Sequence, residues 1–187
     1  MRVLFSTTAA YGHFHPLVPL ARAFADGGHQ VAFATAESFG EQVERAGFRV
    51  LAAGMQPAEL IARFAPYRDR LLQLPIPERR PYAFAWRFAT LEAPAKLREL
   101  HDVARRWHPD LVIFESADLA APVVAAALGI PRAHHAFGRL VPVACFERED
   151  VPLAVEFRRR SGDVILSRGY PVSRPFPDEA FPRAPRG

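Results

Sequence analysis

Residues 2–52 read RVLFSTTAAYGHFHPLVPLARAFADGGHQVAFATAESFGEQVERAGFRVLA, and this stretch decides the fold. Its opening, Arg2-Val3-Leu4-Phe5-Ser6-Thr7, is too short an apolar run for a secretory leader and is followed by Tyr-Gly-His-Phe-His-Pro. It is read as a first buried strand, and the chain is expected to be cytoplasmic. Leu17, Leu20, Ala21 and Phe24 then fall at i, i+3, i+4 and i+7, one apolar face of a helix. Pro16 suits the first turn of that helix, Pro19 costs it at most one hydrogen bond, and Gly27-Gly28 ends it. His29 to Thr35 is a second strand built on Val31 and Phe33. Ser38 to Ala46 is a short helix stopped by Gly47, and Phe48 to Ala52 is a third strand. Strands alternating with helices over short connections mean a parallel sheet covered by helices.

Downstream the rhythm breaks and then resumes. Residues 55–108 are helix-rich and aromatic, with Phe64, Tyr67, Tyr82, Phe84, Trp86 and Phe88, and with Leu97, Leu100, Ala104 and Trp107 on one face of a later helix. A strand follows at Leu111–Phe114, a helix near Leu119–Leu128 capped by Gly129, and a strand around Arg132–Ala136. No internal repeat is present. Residues 1–150 are read as one Rossmann-like domain, with 55–108 as a helical insertion. Residues 151–187 carry Arg158-Arg159-Arg160, and five prolines fall within 171–187, so this tail is expected to be loosely ordered.

Composition bounds the function. The chain has 187 residues, half of them hydrophobic, enough for one sizeable α/β domain or two small ones and too apolar for disorder throughout. The net charge is +4, of which +3 sits in residues 151–187, so the body carries no basic footprint for nucleic acid. Cys145 is the single cysteine, which excludes an internal disulfide and an all-cysteine zinc site. No apolar run approaches the roughly 20 residues that span a bilayer.

The chemistry concentrates after the strands. Tyr11-Gly12-His13-Phe14-His15-Pro16 is neither a dinucleotide fingerprint, having one glycine where three are needed, nor a Walker loop. It offers a glycine for a tight turn and a histidine just before a helix. A histidine there faces the positive end of the helix dipole, which favours the neutral, basic ring. At the carboxyl edge of a parallel sheet His13 is a candidate general base; the plainer reading is a loop hydrogen-bonding role. Glu115 leaves the fourth strand on the same edge, where its carboxylate could fix the tautomer of His13, or be only a solvated loop acid. Asp118 fits best as the N-cap of the following helix. His13, His15, His134 and His135 suggest a metal cluster, but nothing sets them in tetrahedral geometry, and no metal is expected. Tyr82, Phe84, Trp86 and Phe88 exceed what one helix face can bury, leaving some to line a pocket for an apolar ligand.

Gly12-His13-Phe14-His15-Pro16-Leu17-Val18-Pro19-Leu20-Ala21 resembles the Gly-His-x-x-Pro…Leu-Ala opening of the natural-product and UDP-type glycosyltransferases of the GT-B fold. His108-Pro109-Asp110-Leu111-Val112-Ile113-Phe114-Glu115 through Leu128-Gly129-Ile130-Pro131 resembles their second landmark, Pro-Asp-Leu-Val, an acid, then Leu-Gly-Ile-Pro. Both occur in order, and the likeness covers about residues 1–150.

The resemblance implies the N-terminal, acceptor-binding half of a GT-B enzyme. It implies an inverting, metal-independent transfer in which His13 takes the acceptor's proton and the oxygen attacks the anomeric carbon of a nucleotide-diphosphate sugar. Many relatives support the histidine with an aspartate after strand 4; Glu115 stands at that place here, one methylene longer. Gly12 is assigned to the donor-phosphate loop, and Phe84, Trp86, Phe88 and His135 to acceptor binding. No cofactor is implied, the nucleotide sugar being a substrate. The expected partners are a small hydrophobic acceptor and a donor sugar held mainly by a C-terminal domain that 187 residues have no room for; self-association into a homo-oligomer stays open. The competing readings are a non-catalytic acceptor-binding module without a donor site, and an unrelated nucleotide-binding doubly wound domain.

Overall fold

The computed structural model describes residues 1–136. Cys145, the expected domain boundary near 150 and the tail 151–187 lie outside the described residues. The elements run β1 (Arg2–Ser6), α1 (Tyr11–Phe14), a 3-10 turn (His15–Leu17), α2 (Val18–Asp26), β2 (Gln30–Thr35), a 3-10 turn (Glu37–Phe39), α3 (Gly40–Arg45) and β3 (Arg49–Ala52). Then come α4 (Pro57–Gln73), α5 (Ile76–Phe84), a π-helix (Ala85–Glu92), α6 (Ala93–Trp107), β4 (Leu111–Glu115), α7 (Ala120–Ala127) and β5 (Arg132–His135).

All strand pairs are parallel, in the order β3-β2-β1-β4-β5. Period-two alternation sends Val3, Phe5, Phe33 and Ile113 to one face, where Phe14, Leu17, Ala21, Phe39 and Val43 cover them. Leu4, Ala32, Ala34, Val112 and Phe114 point to the other face, against Ala93, Leu100 and Ala104 of α6 and Ala121 and Val124 of α7. Burial on both faces is why these strands read as continuous apolar runs. Right-handed crossovers require the chain to change face when it changes direction. It steps outward from β1 to β3 through α2 and α3, then returns past β1 to β4 and β5 through α6 and α7. The reversal falls between β1 and β4, the place where open α/β sheets hold ligands.

Two local features differ from expectation. Helix begins at Tyr11 rather than at Pro16; Pro16 and Pro19 lack the N–H groups for continuous α-helical bonding, and the chain passes between α1 and α2 through a 3-10 turn. His13 is therefore inside a helical turn, and Gly12 has no left-handed backbone to justify it. Second, Tyr82, Phe84 and Phe88 are all buried. A single α-helix could not manage this, but the π-helix changes the phase: the N–H of Ala93 bonds back to the carbonyl of Phe88, and the Thr90 hydroxyl reaches the carbonyl of Ala85 at 3.2 Å.

Candidate active site

His13 and Glu115 meet at the topological reversal. Glu115 ends β4, and by alternation from Ile113 it points to the face that carries α1. His13 Nδ1 lies 3.2 Å from Glu115 Oε2. The carboxylate is wholly buried and held from both sides of the sheet edge. The N–H of Ala117 donates to Oε2 at 2.6 Å and that of Thr8 to Oε1 at 3.4 Å. The His13 side chain keeps 18% of its surface exposed while its Nδ1 is buried, so the ring presents its Nε2 edge outward. The Phe88 ring lies 5.6 Å from the imidazole, tilted by 54°. Gly12 sits in the same turn, and nothing stands within 4 Å of where its side chain would begin.

Beneath this pair is a second network. Asp118 accepts the N–H of Ala121 in the first turn of α7 at 3.1 Å through Oδ1, while the N-cap position itself is held by Leu119. Its Oδ2 accepts from the Ser6 hydroxyl at 2.6 Å and from Lys96 Nζ at 2.7 Å.

β5 divides its histidines between the faces. His134 stacks on Phe114, ring centroids 5.4 Å apart, with Nε2 3.0 Å from the Ser116 hydroxyl. Burial, and secondarily the neighbouring His135, hold its pKa below the ordinary histidine value. His135 pairs in register with Glu115 and so shares its face, its Nδ1 buried without a hydrogen-bond partner among the described residues. Among the described residues no group of three or more His, Cys, Asp or Glu is placed to hold a metal. His15 is exposed and stacks its ring edge-on to Tyr11.

A cavity of about 310 Å³ opens beside the loop after β1. Ala9, Met55, Leu60, Ile61 and Phe64 give it apolar walls, and Arg87 and Glu92 are its charged residues. Arg87 Nε donates to Glu92 Oε1 at 2.9 Å, and the guanidinium lies 4.8 Å from the centre of the Phe88 ring. Burial, only partly offset by Arg87, raises the pKa of Glu92. Phe84 and Phe88 are core residues on the α6–α7 face, and Trp86 stacks on Tyr67 at 4.1 Å. They are not among the residues lining this cavity. The spacing of Arg87 and Glu92 hid their pairing: residues five apart diverge on an α-helix and meet on a π-helix, whose bonds run i→i+5. Lys96 carried one sequence signal, as the single lysine among 24 basic residues.

The doubly wound sheet, with a histidine–carboxylate pair at its reversal point, is that of the N-terminal half of a GT-B glycosyltransferase fold, as the superposition on solved glycosyltransferases shows. Residues 22–148 match the family described as Erythromycin biosynthesis protein CIII-like, N-terminal domain, and the chain belongs to it. It is 37% identical over 144 residues to L-demethylnoviosyl transferase of Streptomyces niveus, covering 76% of this chain and 36% of that protein. It is 33% identical over 156 residues to 3-alpha-mycarosylerythronolide B desosaminyl transferase of Saccharopolyspora erythraea, covering 74% and 37%. The glycosyltransferase SsfS6 of Streptomyces sp. SF2575 superposes with a TM-score of 0.67 at 25% identity, over 95% of this chain and 48% of that one. The same enzyme complexed with thymidine diphosphate gives 0.66. The chain thus spans little more than a third of the length of these curated relatives. Among the described residues no helix is long and apolar enough to cross a membrane.

Proposed function

We propose that this chain is the acceptor-binding, base-carrying half of a glycosyltransferase that moves a sugar from a nucleotide-diphosphate donor to a hydroxyl of a lipophilic natural product. The observation that carries this reading is the contact between His13 Nδ1 and the buried Glu115, with the opposite ring edge exposed. Glu115 fixes the tautomer with the proton on Nδ1, leaving Nε2 to accept the proton of the acceptor hydroxyl. Glu115 then stabilises the imidazolium that forms. The acceptor oxygen attacks the anomeric carbon as the nucleotide departs from the opposite side, so the configuration inverts. A metal plays no part in the proton transfer.

The acceptor enters the cavity beside Ala9, whose apolar walls suit a hydrophobic ring system. Phe88 packs behind His13 and fixes the ring it touches, and His135 extends the polar floor beyond Glu115. The space over Gly12 leaves a diphosphate oxygen free to approach the first helical turn. The donor's other contacts come from a second domain of the kind the longer relatives possess. The 187-residue chain alone transfers sugar slowly or not at all, because positioning two reactants supplies roughly 7–11 kcal/mol of such barriers and a base alone contributes about 10²–10⁴-fold. The test joins the chain to the C-terminal domain of a relative and follows the anomeric configuration of the product by NMR, with and without chelator. Retained configuration, or transfer abolished by chelator, would contradict the mechanism.

A further inference from the structure

Lys96 is buried, and its three ammonium protons meet three acceptors: the carbonyl of Thr7 at 2.8 Å, that of Ala34 at 3.2 Å and Asp118 Oδ2 at 2.7 Å. Thr7 directly follows β1, Ala34 lies near the end of β2, and Asp118 belongs to the turn after β4. One side chain from α6 thereby ties three strand ends together at the edge where His13 and Glu115 meet. The donor geometry explains why a chain that otherwise uses arginine has a lysine here. An ammonium directs three protons tetrahedrally, whereas a guanidinium spreads five in one plane.

Two of the three segments that Lys96 grips are the ones that hold Glu115. Thr8, next to Thr7, donates its N–H to Glu115 Oε1, and Ala117, next to Asp118, donates its N–H to Oε2. Asp118 is anchored further by Ser6 and by the first turn of α7. Gly54, with φ of +125°, brings its backbone against the Lys96 stem, where a side chain would meet Cδ at 3.5 Å. We propose that Lys96 is a positioning residue for the His13–Glu115 pair: by clamping Thr7 and Asp118 it sets the two backbone amides that aim the Glu115 carboxylate at His13. This rests on the reading of His13 and Glu115 as a catalytic pair.

The test is made on the full chain with ¹⁵N-labelled histidine, at mildly alkaline pH, where the two ring-nitrogen shifts report the tautomer. His13 is assigned from His13→Ala. Glu115→Gln is the reference and moves His13 from one tautomer towards a mixture. Lys96→Met keeps the stem without the charge, Lys96→Arg keeps the charge with the wrong donor geometry, and Asp118→Asn keeps the shape of the turn. Each is expected to shift His13 in the same direction as Glu115→Gln, Lys96→Met most. Lys96 variants that fold with a lower melting temperature but a wild-type His13 pattern would overturn the proposal and leave the pair intact. If neither Lys96 variant folds, a wild-type pattern in Asp118→Asn overturns it equally. A His13 pattern indifferent to Glu115→Gln would refute the pair itself, and the positioning role with it.

Discussion

Ile61 separates packing from binding better than any other residue in the cavity. It lines the wall yet is 73% exposed, whereas its neighbour Leu60, on the same wall, is 8% exposed. Fully burying an isoleucine side chain is worth about 1.5–3 kcal/mol. Most of that remains unrealised in the free protein, so an apolar ligand covering Ile61 gains about 1–2 kcal/mol from it. Ile61→Ala removes most of the contact surface and should weaken binding by about 1 kcal/mol, roughly fivefold in Kd. An exposed substitution of this kind changes stability by no more than about 0.5 kcal/mol. Leu60→Ala should instead cost about 2–5 kcal/mol of stability. The assay is a fluorescence titration of the chain with an environment-sensitive naphthyl ketone, paired with thermal unfolding of each variant. An unchanged Kd for Ile61→Ala would refute the placement of the acceptor in this cavity. A large fall in its melting temperature would refute the reasoning from exposure.

Phe88→Ala should destabilise the fold by about 3–5 kcal/mol, since the ring is a core member; chemical denaturation measures it, and the His13 resonances should broaden as the ring contact is lost. His134 is held neutral by burial, so its contribution to stability is complete above pH 6.5, its ordinary value, and is lost as pH falls through the lower folded value. Melting temperatures across that range should decline in the wild type and flatten in His134→Gln. Glu92 has the opposite sign. Its raised folded value means that its stabilising contribution is complete below 4.5 and lost as pH rises through the folded value, so Glu92→Gln should gain on the wild type over that interval in the same melting series.

The alternation of Val3, Leu4 and Phe5, and of Val112, Ile113 and Phe114, made the parallel sheet legible, because strands buried on both faces leave an uninterrupted apolar run. The edge carrying His13 and Glu115 followed from strand direction alone. Carrying the same alternation to Glu115 also gives its face, since Ile113 and Glu115 are two apart. What stayed hidden depended on departures from standard helical periods. Pro16 marked a helix start by its usual preference, yet the helix begins five residues earlier and negotiates the proline through a 3-10 turn. The aromatic run 82–88 looked excessive because it was measured against 3.6 residues per turn, while residues 85–92 bond at i→i+5. Lys96 finds its partners 22 to 89 residues away along the chain, a separation at which no local pattern operates.

The central claim is that His13 is the base, and the most direct measurement is sugar transfer by the chain complemented with a separate donor domain. A nucleotide-diphosphate sugar and a hydrophobic acceptor are supplied, and glycoside is quantified by mass spectrometry. Complementation should restore turnover, and His13→Ala in the restored enzyme should lower kcat by about 10²–10⁴-fold while the Kd for the acceptor stays within a few-fold of the wild type. Turnover that survives His13→Ala undiminished would contradict the account.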